Sequence, residues 1–522
     1  MFKNPIKNTF SPTFFTQKVV LNKYFWLVAG LTAVGFYLRL LYHYSLGSFW
    51  FDEYYTVYLT EFSLGKMLSL LPYDYNLPFY HIILWFWERV FGDSELAVRM
   101  FSIILGVINI PLFYVVGKKL FSKKTAIIGI IFYTLSSYQI YHTTEARGYS
   151  LLIFLALTSV WFFWRLFQGN NSKITLLGYF VSTLLLAYTH LTGLIFIFAQ
   201  FIFIVSRNFR QPKKILPWLG VYTGVALLFL PYLLIYYFSK GESVFSAYLF
   251  YIDYNPFFFI NFFKTLFNNV SVNFFTELFF LSFPLFILAS FTQLHRKQGE
   301  PGWNIEFKFT PAFVFSTVVI TIMAVGCFLL HWITPRYLII ISLFLYLMIG
   351  EGIFNWFNYK RIFIIITIIF IIIVMSSDYR NFFVDQSEWA RVADCINSIS
   401  KSDGASQPKT KIIVHHFTME IMLKKYYTGN LPFEGFYPLE NNLSFEERLL
   451  RDSARPVVTK ENVNKLSEAV TSYDQIILVE SIYVPVIDPE KKVAHWFVNN
   501  GWRLEDKFCQ IGKNKVYSFI KD

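Results

Sequence analysis

Residues 24–44 read YFWLVAGLTAVGFYLRLLYHY, and the chain soon continues Phe49-Trp50-Phe51-Asp52-Glu53-Tyr54-Tyr55. The first stretch is apolar over the length a helix needs to cross about 30 Å of hydrocarbon. It is long for the core of a signal peptide and lacks a small-residue cleavage site, so it reads as a retained first span. The polar residues before it are basic (Lys3, Lys7, Lys18, Lys23). The second stretch sets two adjacent carboxylates just beyond the span, behind bulky rings of the kind that settle at a membrane–water boundary.

Working outward, the rest of the chain repeats this character. Of its 522 residues, 55% are hydrophobic and 15% charged, and the mean hydropathy is +0.44. A soluble domain carries about 25% charged residues, so an aqueous core is excluded and a bilayer is required. Aromatics reach 21%, with 62 Phe and 34 Tyr. The net charge of +12 fits cytoplasmic loops facing anionic lipid, and no nucleic-acid module is present. Cys327, Cys395 and Cys509 form no CxxC pair, which argues against a cysteine zinc site.

The apolar runs predict about eleven spans: 24–44, 96–116, 125–141, 149–167, 175–190, 193–206, 215–237, 277–294, 311–331, 337–355 and 362–377. Pro78–Phe91 is apolar but short, holds Glu88 and Arg89, and ends at Gly92-Asp93. It is expected to lie in the interface. With that choice the basic groups Lys118–Lys119, Lys123–Lys124, Arg165 and Lys173, Arg207–Lys214, Arg296–Lys297 and Lys360–Arg361 fall on one side together with the N-terminal lysines. The positive-inside rule makes that side cytoplasmic and puts the C-terminus outside.

From about 380 the chain turns polar and mixed in charge. Gln386–Ile399 has helical periodicity, Lys411–His415 and Gln475–Val479 read as buried strands, and Trp502–Ile511 with Lys515–Ile520 reads as a closing strand pair. The expected organisation is a cytoplasmic segment 1–23, a transmembrane part 24–378 with a first outer loop 45–95, and a small extracytoplasmic α/β domain 379–522. Whether Cys395 and Cys509 are bridged is left open, because spacing does not show proximity.

On this topology the polar residues of interest gather at the outer ends of helices. They are Asp52-Glu53, Asp74-Tyr75-Asn76, His142 with Glu145-Ala146-Arg147-Gly148-Tyr149, Tyr188-Thr189-His190, His331, and Pro335-Arg336-Tyr337. Singly each has a plain reading: a solvated loop start, a turn, a snorkelling arginine. Charges in a membrane are usually paired, solvated or functional, and here carboxylates and arginines from separate segments share one face. A carboxylate can take a proton from an acceptor hydroxyl or amine. A guanidinium can hold a phosphate bidentately and stabilise it as it leaves. A lipid-phosphate-linked sugar presents that leaving group at that depth.

These motifs resemble the C-type (GT-C) glycosyltransferases that use polyprenyl-phosphate sugars, in particular the protein O-mannosyltransferase family and its bacterial relatives, the aminoarabinose transferases of lipid A. The resemblance is carried by Asp52-Glu53 after the first span; by Asn76-Leu77-Pro78-Phe79-Tyr80 in place of a His-Pro-Pro-Leu-Tyr segment; by Gly92-Asp93-Ser94-Glu95 with Arg99; and by Glu145–Tyr149, Tyr188-Thr189-His190 and Pro335-Arg336-Tyr337-Leu338. It runs over about 45–205 and more thinly to 355, leaving the external domain uncovered. Asn76 and Leu77 depart from the pattern, which removes the usual histidine at position 76. The resemblance implies Asp52 as general base with Glu53 in support, and Arg147 and Arg336 on the lipid phosphate. Glu145 would orient an arginine or the sugar. Tyr54, Tyr80 and His190 would line the pocket, with Asp74, Asn76, Tyr149 and Tyr337 completing the substrate site. It also implies inversion at the sugar carbon and an acceptor that is a lipid, glycan or protein of the cell envelope, at a bacterial inner membrane. A divalent metal is left open, since metal use differs among such enzymes and no ligand triad is evident. Two other classes compete. A transporter or flippase would carry its ionisable residues near the midplane in paired repeats. A non-catalytic assembly protein would find Asp52 dispensable.

Overall fold

The computed structural model describes residues 23–74, 76–240, 285, 287–295, 304–330, 334–356, 388–400, 408–438, 444–451, 457–481 and 484–522. The expected span 362–377, half of 277–294, and His331 lie outside these residues.

The first span is α1, Lys23–Leu46. A second helix, α2 (Phe51–Glu61), follows, and Asp52 and Glu53 lie in its first turn, where the unpaired N–H groups favour carboxylates. A short helix α3 (Leu64–Leu70) leads to α4, Pro78–Phe91. Helix α4 starts on Pro78 at its first position and stops at Gly92, whose φ of +84° is open to glycine at little cost. It is too short to cross a bilayer. One side (Tyr80, His81, Leu84) is buried, while Phe86, Val90 and Phe91 stay exposed.

Helix α5, Glu95–Leu120, is capped by the Ser94 side chain on the Ala97 N–H and ends on Lys118 and Lys119. It packs against α1 and against two helices that follow, α6 (Lys123–Leu135) and α8 (Tyr149–Phe167). The expected span 125–141 is two helices. Ser136 leaves the helical conformation (ψ 121°), its Oγ accepts the Gln139 N–H, and α7 (Ser137–Thr144) restarts there. A serine side chain competes for backbone hydrogen bonds in this way, and the Tyr346 hydroxyl donates to the same oxygen at 3.1 Å. Then come α9 (Lys173–Ala187), α10 (Leu191–Asn208) and α11 (Leu216–Lys240). A hairpin of β1 (Thr292–His295) and β2 (Asn304–Phe307) occupies the end of the segment expected to span at 277–294. Helices α12 (Pro311–Leu329) and α13 (Ile339–Trp356) complete the described bundle. Among the described residues seven helices are long and apolar enough to cross a membrane, with Lys173–Ala187 a shorter apolar one.

The C-terminal region opens with α14 (Glu388–Ser400) and builds a five-stranded sheet in the order β4-β3-β5-β7-β6. Strand β3 (Thr410–Val414) runs parallel to β4 (Phe433–Gly435) and β5 (Gln475–Glu480). The pair β6 (Trp502–Ile511) and β7 (Asn514–Lys521) closes it antiparallel. Cys395 of α14 and Cys509 of β6 are joined in a disulfide, which answers the question left by their spacing.

A helix between β3 and β4, residues Glu420–Tyr426, joins this region to the membrane part. The Tyr426 hydroxyl accepts the Phe49 N–H at 2.6 Å and donates to Glu95 at 2.9 Å. Lys425 Nζ lies 3.1 Å from Asp93.

Candidate active site

The turn that starts α2 is held by a buried ion pair. Arg99 of α5 is fully buried. Its Nε donates to Glu53 Oε1 at 2.9 Å and its Nη2 to Oε2 at 2.6 Å. The remaining guanidinium hydrogens reach the carbonyls of Gly47 and Ser48 at 2.8 and 3.1 Å. Glu53 Oε1 also accepts the Ala146 N–H at 2.8 Å. One carboxylate therefore ties together α2, α5 and the turn between α7 and α8. Both side chains are excluded from solvent, so Glu53 is committed to the scaffold.

Adjacent helical residues point about 100° apart, and Asp52 points elsewhere. Its carboxylate meets Arg336 Nη1 at 2.8 Å, with roughly a fifth of the Asp52 side chain and a quarter of the Arg336 side chain open to solvent. Arg336 arrives from a 3₁₀ turn, Pro335–Leu338, leading into α13. Arg147, next to the clamped Ala146, reaches the same turn. Its Nη1 donates to the Asp52 carbonyl at 3.0 Å and to Thr56 Oγ1 at 2.8 Å, and its Nη2 donates to Asn76 Oδ1 at 3.0 Å. All three acceptors are neutral. Among the described residues no carboxylate forms an ion pair with Arg147. The site thus holds two guanidiniums, one paired with Asp52 and one bonded to neutral oxygens alone among the described residues, an arrangement suited to an anion.

Asn76 is itself positioned. Its Nδ2 donates to buried Asp74 at 3.1 Å, and the Tyr55 hydroxyl donates to the same carboxylate at 3.3 Å. An amide offers a donor and an acceptor at once, so the departure from histidine still links Asp74 to Arg147. His81 Nε2 stands 3.9 Å from Asp74. Burial first, with Arg147 adding to it and Asp74 opposing, lowers its pKa to about 4.

A row of rings borders the arginines. His142 and Tyr149 centroids are 5.2 Å apart, Tyr149 and His190 6.0 Å, His190 and Tyr337 5.5 Å, and the Arg336 guanidinium lies 5.6 Å from the Tyr337 ring. His190 caps α10, its Nδ1 accepting the Thr192 N–H at 3.2 Å.

Besides Glu53, three expected site residues bond to neither Arg147 nor Arg336 among the described residues. Glu145 pairs with His142 at 3.0 Å and with no arginine among the described residues. Tyr54 turns toward the seam with the C-terminal region, donating to Glu61 at 2.8 Å. Tyr80 is buried and shares a hydrogen bond with Ser102 at 3.0 Å, beneath the Gly148 turn. Thr56 was not singled out by the sequence, although it lies one turn after Asp52. Nothing local in the sequence signals Tyr426. Among the described residues no group of three His, Cys, Asp or Glu side chains is placed to hold a metal.

Residues 76–235 match the family described as dolichyl-phosphate-mannose-protein mannosyltransferase. A search of curated protein sequences gives no match. Among solved structures, ArnT from Cupriavidus metallidurans is similar in its apo state, with TM-score 0.55 and 13% identity over 97% of this chain and 98% of that one. The same protein bound to undecaprenyl phosphate gives TM-score 0.53 and 12% identity over 96% and 98%. The Archaeoglobus fulgidus oligosaccharyltransferase tethered to an acceptor peptide gives 0.50 and 11%, over 92% of this chain and 73% of that one. At these identities the structural likeness establishes the fold, and the matched segment spans Asn76, Arg147 and His190 of the site just described. The chain is thus a multi-pass helical bundle with the fold of these structures, and its residues 76–235 are similar to that family.

Proposed function

We propose that the protein moves a sugar from a polyprenyl-phosphate carrier to an acceptor at the membrane face that bears Asp52. The observation that carries this reading is Arg147: a guanidinium fixed by three neutral oxygens beside the Asp52–Arg336 pair. A positive charge held in place without a bonded carboxylate is a receptor for an anion. A lipid phosphate brings one to this depth, and one of the ArnT structures contains undecaprenyl phosphate.

In the resting site Arg336 occupies the Asp52 carboxylate. An arriving phosphate competes for that guanidinium and frees the carboxylate for the acceptor. The acceptor hydroxyl or amine then bonds to the anomeric carbon as the bond from that carbon to the phosphate oxygen breaks. The electron pair leaves with the phosphate, between Arg147 and Arg336, and Asp52 takes the acceptor's proton. A single displacement inverts the anomeric centre. Asn76 and Thr56 steady Arg147, His190, Tyr149 and Tyr337 form the ring wall, and Glu53 and Arg99 hold the frame. The acceptor is a lipid, glycan or protein of the cell envelope, met on the side of the C-terminal region.

The basic loops and the disulfide support one orientation. Lys118, Lys119, Lys123 and Lys124 lie at the helix ends opposite Asp52, as expected of a cytoplasmic side. The Cys395–Cys509 bond belongs in an oxidising compartment. We therefore assign residues 1–23 to the cytoplasm, 24–378 to the transferase part and 379–522 to an extracytoplasmic domain, in a membrane such as the bacterial inner membrane.

The test is transfer in vitro with purified, folded Asp52→Asn, using a labelled polyprenyl-phosphate sugar. General-base assistance contributes about 10²–10⁴-fold, so turnover is expected to fall by at least about 10²-fold with donor binding retained. Near-normal turnover removes Asp52 from the mechanism.

A further inference from the structure

At the end of the bundle opposite Asp52, α1 and α5 part to leave an apolar trough of about 710 Å³. Its floor uses small or kinked positions: Ala29, Thr32 and Ala33 on α1, and Val107 and Pro111 on α5. Ala29 and Ala33 are exposed, so the trough is not filled by the protein's own packing among the described residues. Pro111 lies inside α5, where proline removes a backbone hydrogen bond and bends the helix away.

The mouth of the trough is cationic. Lys118 Nζ lies 5.3 Å from the Tyr114 ring centroid, and the Tyr24 ring has Lys123 at 5.9 Å and Lys23 at 5.5 Å. None of these lysines makes an ion pair among the described residues. Three like charges gathered around two tyrosines at the edge of hydrocarbon repel one another and gain from a shared anion. A largely apolar trough that opens onto ammonium groups without an ion pair among the described residues matches a hydrocarbon chain ending in a phosphate.

Geometry decides between two sources of that chemistry. Helix α1 rises about 36 Å from Lys23 to Leu46, and its far end leads into the Phe49–Asp52 turn. Helix α5 begins beside Arg99 at that turn and ends at Lys118 and Lys119. The trough's lysines are therefore a membrane thickness away from Arg147 and Arg336. A polyprenyl-phosphate with its phosphate at the arginines does not place one here. A phospholipid of the opposite leaflet does.

We propose that this groove is a binding site for an anionic diacyl phospholipid, with one acyl chain along the trough between α1 and α5 and the phosphate held by Lys118 and Lys123. Basic pockets at the ends of membrane helices take anionic head groups in this way. The lipid would lie along a side of α1 that is exposed among the described residues and pack between α1 and α5. The site uses no residue assigned to transfer, so it stands or falls separately from the proposed reaction.

The test is native mass spectrometry of the full chain, delipidated in detergent and titrated with phosphatidylglycerol or phosphatidylcholine of identical acyl chains. Wild-type protein is expected to retain one phosphatidylglycerol at least about tenfold more tightly than phosphatidylcholine. The Lys118→Gln/Lys123→Gln variant should lose about thirtyfold in phosphatidylglycerol affinity, which is about 1 kcal/mol for each lysine near a lipid head group at about 1.4 kcal/mol per tenfold. Its phosphatidylcholine affinity should not change. Ala33→Leu puts a bulky side chain at an exposed position in the trough and should displace the lipid while leaving the fold intact by melting temperature. Lys213→Gln/Lys214→Gln, a basic pair outside the trough, should leave retention unchanged. Equal retention of the two lipids by wild type, undiminished phosphatidylglycerol binding in the double lysine variant, or displacement of phosphatidylglycerol by polyprenyl phosphate would each overturn the proposal.

Discussion

Replacing Glu53 by Gln separates a structural carboxylate from a chemical one. The substitution keeps the shape but removes the charge that balances Arg99, and it sets an NH₂ group against guanidinium hydrogens. Both side chains are fully excluded from solvent and the closest contact is 2.6 Å. Breaking a buried pair by removing one partner costs about 3–5 kcal/mol, because the other charge is left uncompensated. Glu53→Gln is therefore expected to lose that much unfolding free energy in detergent, and transfer should decline because the Ala146 N–H and the Gly47–Ser48 loop lose their common tether. A Glu53→Met/Arg99→Met double variant should recover part of the stability, since an apolar pair leaves no buried charge; recovery stays partial because the Gly47 and Ser48 carbonyls still lose their donor. The assay pairs an unfolding titration with turnover per folded molecule. If Glu53→Gln unfolds within about 0.5 kcal/mol of wild type while turnover collapses at least about 10²-fold, Glu53 is a reacting group and the scaffold role assigned here is wrong.

Other expectations concern separate parts of the molecule. Arg336→Ala should weaken donor binding by about 2–5 kcal/mol, the cost of truncating one partner of a desolvated charge pair, and an unchanged donor affinity by calorimetry would return Arg336 to a snorkelling role. In the C-terminal region, burial and then His415 lower the pKa of His416 from 6.5 to about 3. The unfolded chain therefore binds a proton between those pH values that the folded one refuses, and stability should fall as pH drops below about 6.5, by about 1.4 kcal/mol per unit for this group. His416→Gln should flatten that part of the unfolding profile. Reduction, or Cys395→Ser, opens a loop that closes across 114 residues and should cost about 2–5 kcal/mol, read as a lower melting temperature together with a mobility shift on non-reducing gels.

The bundle was legible wherever an apolar run was long and its ends carried charge. Lys23–Leu46 and Glu95–Leu120 fall within a few residues of the runs 24–44 and 96–116. The break at Ser136 was not legible, because hydropathy continues across it and the cause is a side chain capping the next helix. Strands Thr410–Val414 and Gln475–Glu480 announced themselves as apolar β-branched runs, whereas Phe433–Gly435 is too short to carry a pattern and pairs only because β3 presents a free edge. In the site, Asp52 and Arg336 stand 284 positions apart, and only the argument that both sit at the same membrane face brought them together. Which of Asp52 and Glu53 looks outward depends on where Arg99 lies, a tertiary fact. For the same reason Tyr54 and Tyr80, read as pocket residues, point to Glu61 and Ser102.

The Tyr426 hydroxyl has a consequence for the order of events. It accepts from the backbone of Phe49 and donates to Glu95, so a side chain of the C-terminal region is hydrogen-bonded to the segment that ends in Asp52. Energetic influence through such a link runs both ways. A ligand that tilts the C-terminal region by binding it shifts the Phe49–Asp52 turn, and a ligand that orders the turn alters affinity in the C-terminal region by the same factor. Under the proposed reaction, a donor at the Asp52 turn and an acceptor on the C-terminal region would be coupled through this one phenol.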